Sequence, residues 1–398
     1  MTHPRTALVI GGGIAGPAAA MALQKAGIES VVYEAHPTAA EGIGTFLTLA
    51  TNGVDALHTL GAEKAAIAAG FPTTAILVWS GTGKRLGAAV VSMTLDDGTT
   101  GLTLKRADLY KAMHDQAAGR GIRIEHGKCL VAAERVDSGV RASFADGSEA
   151  TGDILIGCDG IHSTVRRIID PDAPAPAYAG LINLGGYVRG VQVDADPGTY
   201  HMIFGRRAFF GYAVAPDGEA WWFANVPQPE EPTRGSLAGI GTEEWRRRLI
   251  DLFAGDAGPA TRLIQATAHE LSATTFHTMP HLPTWHTDRM IVVGDAAHAP
   301  SPSSGQGASL SIEDAVQLGK CLRDLPDADR AFAAFEQARR PRVERIIKQA
   351  ARVNSSKAAT GAGRVFRDLM APLFLKLVAN SKHARQTYGY HIDWGTPA

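Results

Sequence analysis

One stretch near the start, TALVIGGGIAG at residues 6–16, restricts the fold of this chain more than any other. A short apolar, partly β-branched run leads straight into Gly11, Gly13 and Gly16, and these lead into a row of helix formers that stops at Gly27. Strand, glycine turn and helix in that order make the first half of a βαβ unit, and SVVYE (30–34) supplies its second strand. The GxGxxG spacing has a physical reading. The first glycine makes the turn, the second lets backbone approach a pyrophosphate, and the third lets helix and strand pack closely. The helix start at Ile14 and Ala15 turns free N–H groups and a positive dipole end toward the phosphates. Glu34, followed by Ala35, closes the second strand about 20 residues on, where a ribose 2′-hydroxyl needs an acceptor. A carboxylate there disfavours a 2′-phosphate, so the site suits FAD or NAD and not NADP.

Composition narrows the function classes. With 398 residues, 45% of them hydrophobic and 20% charged, the chain can bury a full core organised as two or three domains or one composite unit. A formal net charge of −1, from 39 basic and 40 acidic residues spread along the chain, leaves no footprint for a nucleic-acid partner. Cys129, Cys158 and Cys321 are too few and too scattered for a disulfide framework or a paired metal site, so a reducing cytoplasm is expected and no metal is. No stretch resembles a signal peptide or reaches bilayer-spanning length, which argues against a membrane partner. MAPLFLKLVA near the end reads as a packed amphipathic helix. SGTGKRLG (80–87) lacks the GK[ST] ending of a nucleotide loop and reads as a hairpin turn.

Periodicity predicts a helix opening at Arg106, strands at 122–125, 130–136, 139–144 and 153–157, a helix from about 307 to 323, and a long charged helix around FEQARRPRVERIIKQAARV. Between about 174 and 287 the texture becomes aromatic and β-branched, broken by Pro, Gly and Asp. The expected class is α/β, or α+β taken as a whole. A discontinuous Rossmann-like domain (1–72, 99–173 and 288–355) interleaves with a mainly antiparallel β-sheet substrate domain (73–98 and 174–287), and 356–398 forms a C-terminal helical segment.

Two further motifs stand behind apolar runs. GCDGIHSTVR (157–166) follows DILI, and GDAAHAPSPSSGQG (294–307) follows RMIVV. Each puts an aspartate at the carboxyl end of a strand, where ligands of doubly wound sheets bind. With these in place, the chain resembles the class A FAD-dependent monooxygenases, the aromatic-ring hydroxylases that include salicylate, hydroxynicotinate and urate hydroxylases. The resemblance rests on GGGIAG with Glu34, Arg106 opening its helix, Asp159-Gly160, Gly294-Asp295 and the ARRPRVERI helix, and it covers most of the chain.

The resemblance implies roles residue by residue. Glu34 holds the adenosine ribose, Arg106 lies along the FAD ribose and pyrophosphate, and the backbone near Leu130 meets the adenine. Asp295 bonds the ribityl chain. Gly305, Gly307, Ala308 and Ser309 bring amides and a helix N-terminus to the pyrimidine end of the isoalloxazine, and Pro302 sits beside its reactive face. Ser309 stands where many members have Asn. Asp159 affects flavin and nicotinamide binding in that family, although a buried aspartate fixing a loop reads equally well. NADPH or NADH, lacking a second GxGxxG, docks transiently as the reductant. Reduced FAD and O2 then give a C4a-hydroperoxide that hydroxylates a small aromatic or heteroaromatic substrate.

The sheet domain offers His201, Arg206, Tyr212, Trp222 and Asn225 as substrate contacts, with Tyr212 first for hydrogen bonding and Arg206 next for an anionic substrate. Phe204, Phe209, Phe210, Trp222 and Phe223 suit a flat apolar ligand. His298 reads as a structural histidine bonded to backbone. A monomer or homodimer is expected. An FAD-dependent dehydrogenase or reductase that inserts no oxygen remains the alternative, because these motifs fix FAD and not the use of oxygen.

Overall fold

The computed structural model describes residues 3–38, 45–73, 75–90, 92–137, 139–233, 235–279, 281–357 and 382–398. Its organising element is a five-stranded sheet in the order β18 (Met290–Val292), β12 (Ile154–Gly157), β1 (Thr6–Ile10), β2 (Glu29–Glu34), β8 (Arg123–His126). All its pairings are parallel, and the two strands at its centre, β12 and β1, carry nearly continuous apolar runs, as burial on both faces requires. Chain order reverses at β1, which has β2 on one side and β12 on the other, so a crevice opens beyond the strand ends. A meander of β9 (Leu130–Val136), β10 (Gly139–Phe144) and β11 (Glu149–Gly152) lies against this sheet. A cavity of about 960 Å³ lies between them, lined by Tyr33, Arg123, Lys128 and Phe144, away from the glycine loop.

Helix α1 (Ala15–Lys25) packs along α8 (Gly307–Asp324), and small residues set the approach: a Cβ on Gly319 would lie 2.9 Å from that of Ala22. At the other end, one on Gly294 would lie 3.4 Å from Ala15 and 2.7 Å from the Ser311 hydroxyl. The two helices therefore run parallel, N-terminus beside N-terminus. Around them stand α2 (Thr51–Leu60), α3 (Glu63–Ala69), α4 (Arg106–Gly119), α5 (Thr164–Ile169) and the long α9 (Ala328–Lys357). The final helix, α10 (Lys382–Tyr388), leads to a tail that packs back on α8.

A second apolar core belongs to a seven-stranded sheet: β17 (Thr274–Thr278), β13 (Ala177–Val188), β16 (Ala220–Pro227), β15 (Phe209–Val214), β14 (Thr199–Phe204), β5 (Ala75–Ser80) and β6 (Arg85–Val90). Only β14 and β5 pair in parallel. One face is covered by α6 (Thr242–Phe253) and α7 (Ala260–Ala266), whose Trp245, Leu249, Phe253, Leu263 and Ile264 pack on it. Against the other lies a small sheet of β3 (Phe46–Leu49), β7 (Leu102–Lys105) and β4 (Gly70–Pro72). The predicted hairpin over 80–87 is the β5–β6 turn. The strands β3, β4, β7 and β11 and helices α2 and α3 were not legible, being short and mixed in pattern. MAPLFLKLVA lies outside the described residues.

Candidate active site

Beyond the carboxyl ends of β1, β2, β12 and β18, the residues singled out from the sequence converge. Gly11 turns at φ 103°, and a Cβ there would lie 2.4 Å from the Cys158 carbonyl oxygen. On Gly16 it would lie 1.9 Å from the carbonyl oxygen of Gly11. Neither position tolerates a side chain. Gly13 differs, since nothing lies within 4 Å of its Cβ direction and space opens in front of the loop. No side chain caps α1, so its first amides face that space.

Glu34 is buried beneath the loop. Its Oε2 accepts the Gly12 N–H at 2.6 Å and its Oε1 accepts the His36 N–H at 2.8 Å, which leaves a further lone pair on each oxygen. The Lys128 N–H donates to the Glu34 carbonyl at 2.8 Å and brings Leu130 beside this strand end. Sequence reasoning missed His114, whose Nε2 bonds the Gly12 carbonyl and whose ring stacks on Tyr110 at 4.0 Å between centroids. Burial pulls the His114 pKa down, so a neutral ring is favoured here.

The second half of the site is the turn from Gly294 to Ser309. Asp295 stands at the start of this turn, 3.8 Å from the Cβ direction of Gly307, and no described residue hydrogen-bonds its carboxylate. Burial raises its pKa, and the charges of Arg106 and His298 work against that rise. Gly305 turns at φ 61°, Pro302 is exposed on a short 3₁₀ turn, and α8 then begins with no side-chain cap. Ser309 is fully buried in the first turn of α8, where its hydroxyl accepts the Ala50 N–H at 3.1 Å.

A buried ionic network holds this turn from behind. His298 Nε2 bonds Asp314 Oδ2 at 2.5 Å, the same oxygen accepts the Gly294 N–H at 2.9 Å, and Arg339 Nε donates to Oδ1 at 2.7 Å. Arg339 and Arg342 both reach Glu313, which also accepts from Asn52 at 2.6 Å. Burial opposes the Asp314 charge, but the charges of His298 and Arg339 outweigh it and hold the carboxyl at about 2. The His298 ring meets a carboxylate and not the backbone that the sequence reading expected. The network itself was missed. Its signal was the pair Glu313-Asp314 in the apolar-patterned first half of the predicted helix, since buried charges must find partners.

Asp159 is occupied within its own loop. Ser163 Oγ donates to Oδ1 at 2.5 Å, and the Thr164 and Val165 amides donate to Oδ2 at 2.7 and 3.1 Å. The loop-fixing reading therefore describes its contacts.

The substrate-side choices need correction. Strand alternation puts His201, Tyr212, Trp222 and Phe210 on the face that α6 and α7 cover, where Tyr212 stacks on His201 at 4.7 Å and Trp222 donates to Thr267 at 3.0 Å. They face away from the glycine loops. Arg206 lies exposed on the β14–β15 turn, its N–H donating to Asp256 at 3.0 Å. The candidates mixed the two faces of the sheet, since strand neighbours such as Phe209 and Phe210 point to opposite sides. The opposite face carries Tyr200, Met202, Phe204, Phe209, Phe223 and Asn225. Phe46 packs on Tyr200, Trp221 and Phe223, and Tyr200, its pKa pushed up to about 12 by burial, accepts from Thr48 at 3.1 Å and Thr103 at 3.0 Å. Thr48 in turn lies 4.0 Å from the Cβ direction of Gly305, so this face looks toward the glycine turns.

The residues fit a dinucleotide. Two uncapped helix N-termini lie side by side, glycines leave room for phosphate, and an unbonded carboxylate stands between the turns. Among the described residues, no cluster of His, Cys, Asp and Glu could hold a metal ion, and no helix is long and apolar enough to cross a membrane.

Comparison with known proteins agrees with this geometry. A family model described as an FAD binding domain matches residues 5–350. An aurachin C monooxygenase/isomerase from Stigmatella aurantiaca is 29% identical over 353 residues, covering 87% of this chain and 88% of that protein. An FAD-dependent urate hydroxylase from Klebsiella pneumoniae is 30% identical over 352 residues, covering 86% and 88%. Among solved structures, Klebsiella pneumoniae HpxO complexed with FAD and uric acid superposes with a TM-score of 0.80 at 27% identity, covering 96% of this chain and 95% of that one.

Proposed function

The chain belongs to the FAD-binding-domain family and, within it, to the class A flavin-dependent aromatic hydroxylases, and from that premise we propose that it consumes NAD(P)H and O2 to hydroxylate a small aromatic or heteroaromatic substrate. The observation that carries the reading is the pair of uncapped helix N-termini, α1 and α8, laid parallel with the unbonded Asp295 between their turns.

The groups divide the work by chemistry. Gly11, Gly13, Ile14, Ala15 and Gly16 offer α1 amides to the pyrophosphate, Arg106 adds a positive charge alongside, and Glu34 with Ala35 and Leu130 borders the adenosine. Asp159 with Ser163 fixes the loop beside Gly11. Gly294 and Asp295 meet the ribityl chain. Gly305, Gly307, Ala308 and Ser309 would hold the flavin ring with amides and a helix dipole that favour negative charge, and Pro302 would border it. Bound and reduced, FAD supplies the activation of O2 that inserts an oxygen atom. The aromatic face of the large sheet covers the reaction space, orients a flat ring and excludes water.

The test is oxidation of NADH and NADPH by FAD-loaded protein under air across phenols, hydroxylated heteroaromatics and polycyclic aromatics, with product masses. Substrate-stimulated oxidation with a product heavier by one oxygen atom is expected. Equal turnover without oxygen, with no oxygen gained, would sink the proposal in favour of a dehydrogenase or reductase.

A further inference from the structure

The register of the large sheet places its substrate-side residues in rows. Gly185, Phe223, Gly211 and Met202 lie side by side across β13, β16, β15 and β14, and the next row is Asn183, Asn225, Phe209 and Phe204. The row on the other side, containing Tyr187 and Trp221, is closed off by Phe46. Met202, Phe204, Phe223, Gly185 and Asn183 remain partly accessible on the side that looks toward the glycine turns. Gly211 makes room for an aromatic surface, since a Cβ there would lie 2.4 Å from Phe223 Cε1.

These two rows hold no lysine, arginine or histidine. Lys105, at the corner beyond Tyr187, lies 4.3 Å from that ring's centroid and is already paired with Glu219 at 3.1 Å. An anionic substrate pressed against these rows would be a desolvated charge with no cation in them to pair with. The polar feature of the wall is an amide pair. Asn225, 2% exposed, donates through Nδ2 to Asn183 Oδ1 at 3.1 Å. That bond fixes the Asn183 amide and leaves its Nδ2 without a partner among the described residues, an oriented donor at the edge of an aromatic surface.

Building on the proposed hydroxylase reading, we propose that the substrate is an uncharged flat ring system bearing a carbonyl or hydroxyl oxygen, and that Asn183, oriented by Asn225, determines specificity by donating to that oxygen. The amide pair selects for the oxygen because a ligand that covers the Asn183 donor without meeting it leaves that donor desolvated, and two rows without a cation select against carboxylates.

The test is anaerobic titration of the oxidised holoenzyme, read by the change in flavin absorbance. The matched ligands are 1-naphthol against 1-hydroxy-2-naphthoate, and 4-hydroxyquinoline against its 2-carboxylate. The neutral member of each pair is expected to bind at least about tenfold more tightly. Asn183→Leu should weaken 4-hydroxyquinoline about tenfold and quinoline, which lacks the oxygen, by less than about twofold. If that variant loses FAD, Asn183→Asp, which keeps the size and removes the donor, should give the same pattern. Carboxylates binding as tightly as their neutral partners, no binding by the neutral members, or equal weakening of both quinolines would overturn the proposal. If the neutral ligands bind as expected but no ligand yields an oxygenated product, the hydroxylase reading fails and the recognition proposal stands.

Discussion

Gly16 has the least freedom of any residue at the site. A methyl group there would overlap the Gly11 carbonyl at 1.9 Å, and that carbonyl belongs to the loop proposed to meet the FAD phosphates. Overpacking of this kind costs about 1–3 kcal/mol. Falling on the loop, it should weaken FAD binding in Gly16→Ala by about tenfold or more, checked by fluorescence titration of the apoprotein; an unchanged affinity would remove Gly16 from the phosphate site. Asp314 supports a pH prediction. Its carboxyl is held at about 2 against an ordinary 3.8. A depressed pKa stabilises the fold above the unfolded value and loses that contribution as pH falls through the folded one. The difference in Tm between the wild type and Asp314→Asn should therefore be full above pH 3.8 and narrow toward pH 2, followed by thermal unfolding across that range.

At the scale of elements, the alternation along β14, β15 and β16 sorts aromatic residues into a face packed under α6 and α7 and a face toward the glycine turns. Tyr212 belongs to the first, packed with His201 and Phe210 beneath α6 and α7. Tyr212→Phe should leave kcat and KM for any accepted substrate within about twofold, the range of a change remote from the chemistry. A large loss of kcat would put Tyr212 back at the reacting ring. The contact between α8 and α9 works differently. Arg339 is fully buried between Glu313 and Asp314, so its removal takes a shared cation from two core carboxylates and leaves Arg342 and His298 to hold them, at a cost of up to about 3–5 kcal/mol. That ionic seam fixes where α8 begins, and hence where the amides of Gly307 and Ala308 point.

Taken as a whole, the molecule is closed by its last residues. Ile392 is 4% exposed within the main core, His391 bonds Asp55 at 2.8 Å, and Lys320 donates to the Asp393 carbonyl at 2.8 Å. Tyr390 lies under Arg342 at 3.9 Å and Trp394 under Arg323 at 4.8 Å, which ties the tail to the ionic seam and to α8. Burial of one Ile contributes about 1.5–3 kcal/mol before the hydrogen bonds are added. Deleting residues 389–398 should lower the Tm of the holoprotein by about 5 °C or more, measured calorimetrically. No change would mean that the tail is not part of the cooperative unit.

The sequence by itself determined the βαβ unit, the turn behind it, the carboxylates at the strand ends and the antiparallel character of the middle region. Those features are local, because glycines at fixed spacing and apolar runs of fixed period leave the backbone few other states. Tertiary structure alone decided which face of β15 looks at the glycine turns, that Arg206 turns outward, that His298 pairs with Asp314, and that Asn183 and Asn225 meet across two strands. A two-residue period fixes which side chains share a face but carries no information about which face is covered by helices, and ion pairs between residues far apart in the chain form only once the helices have packed.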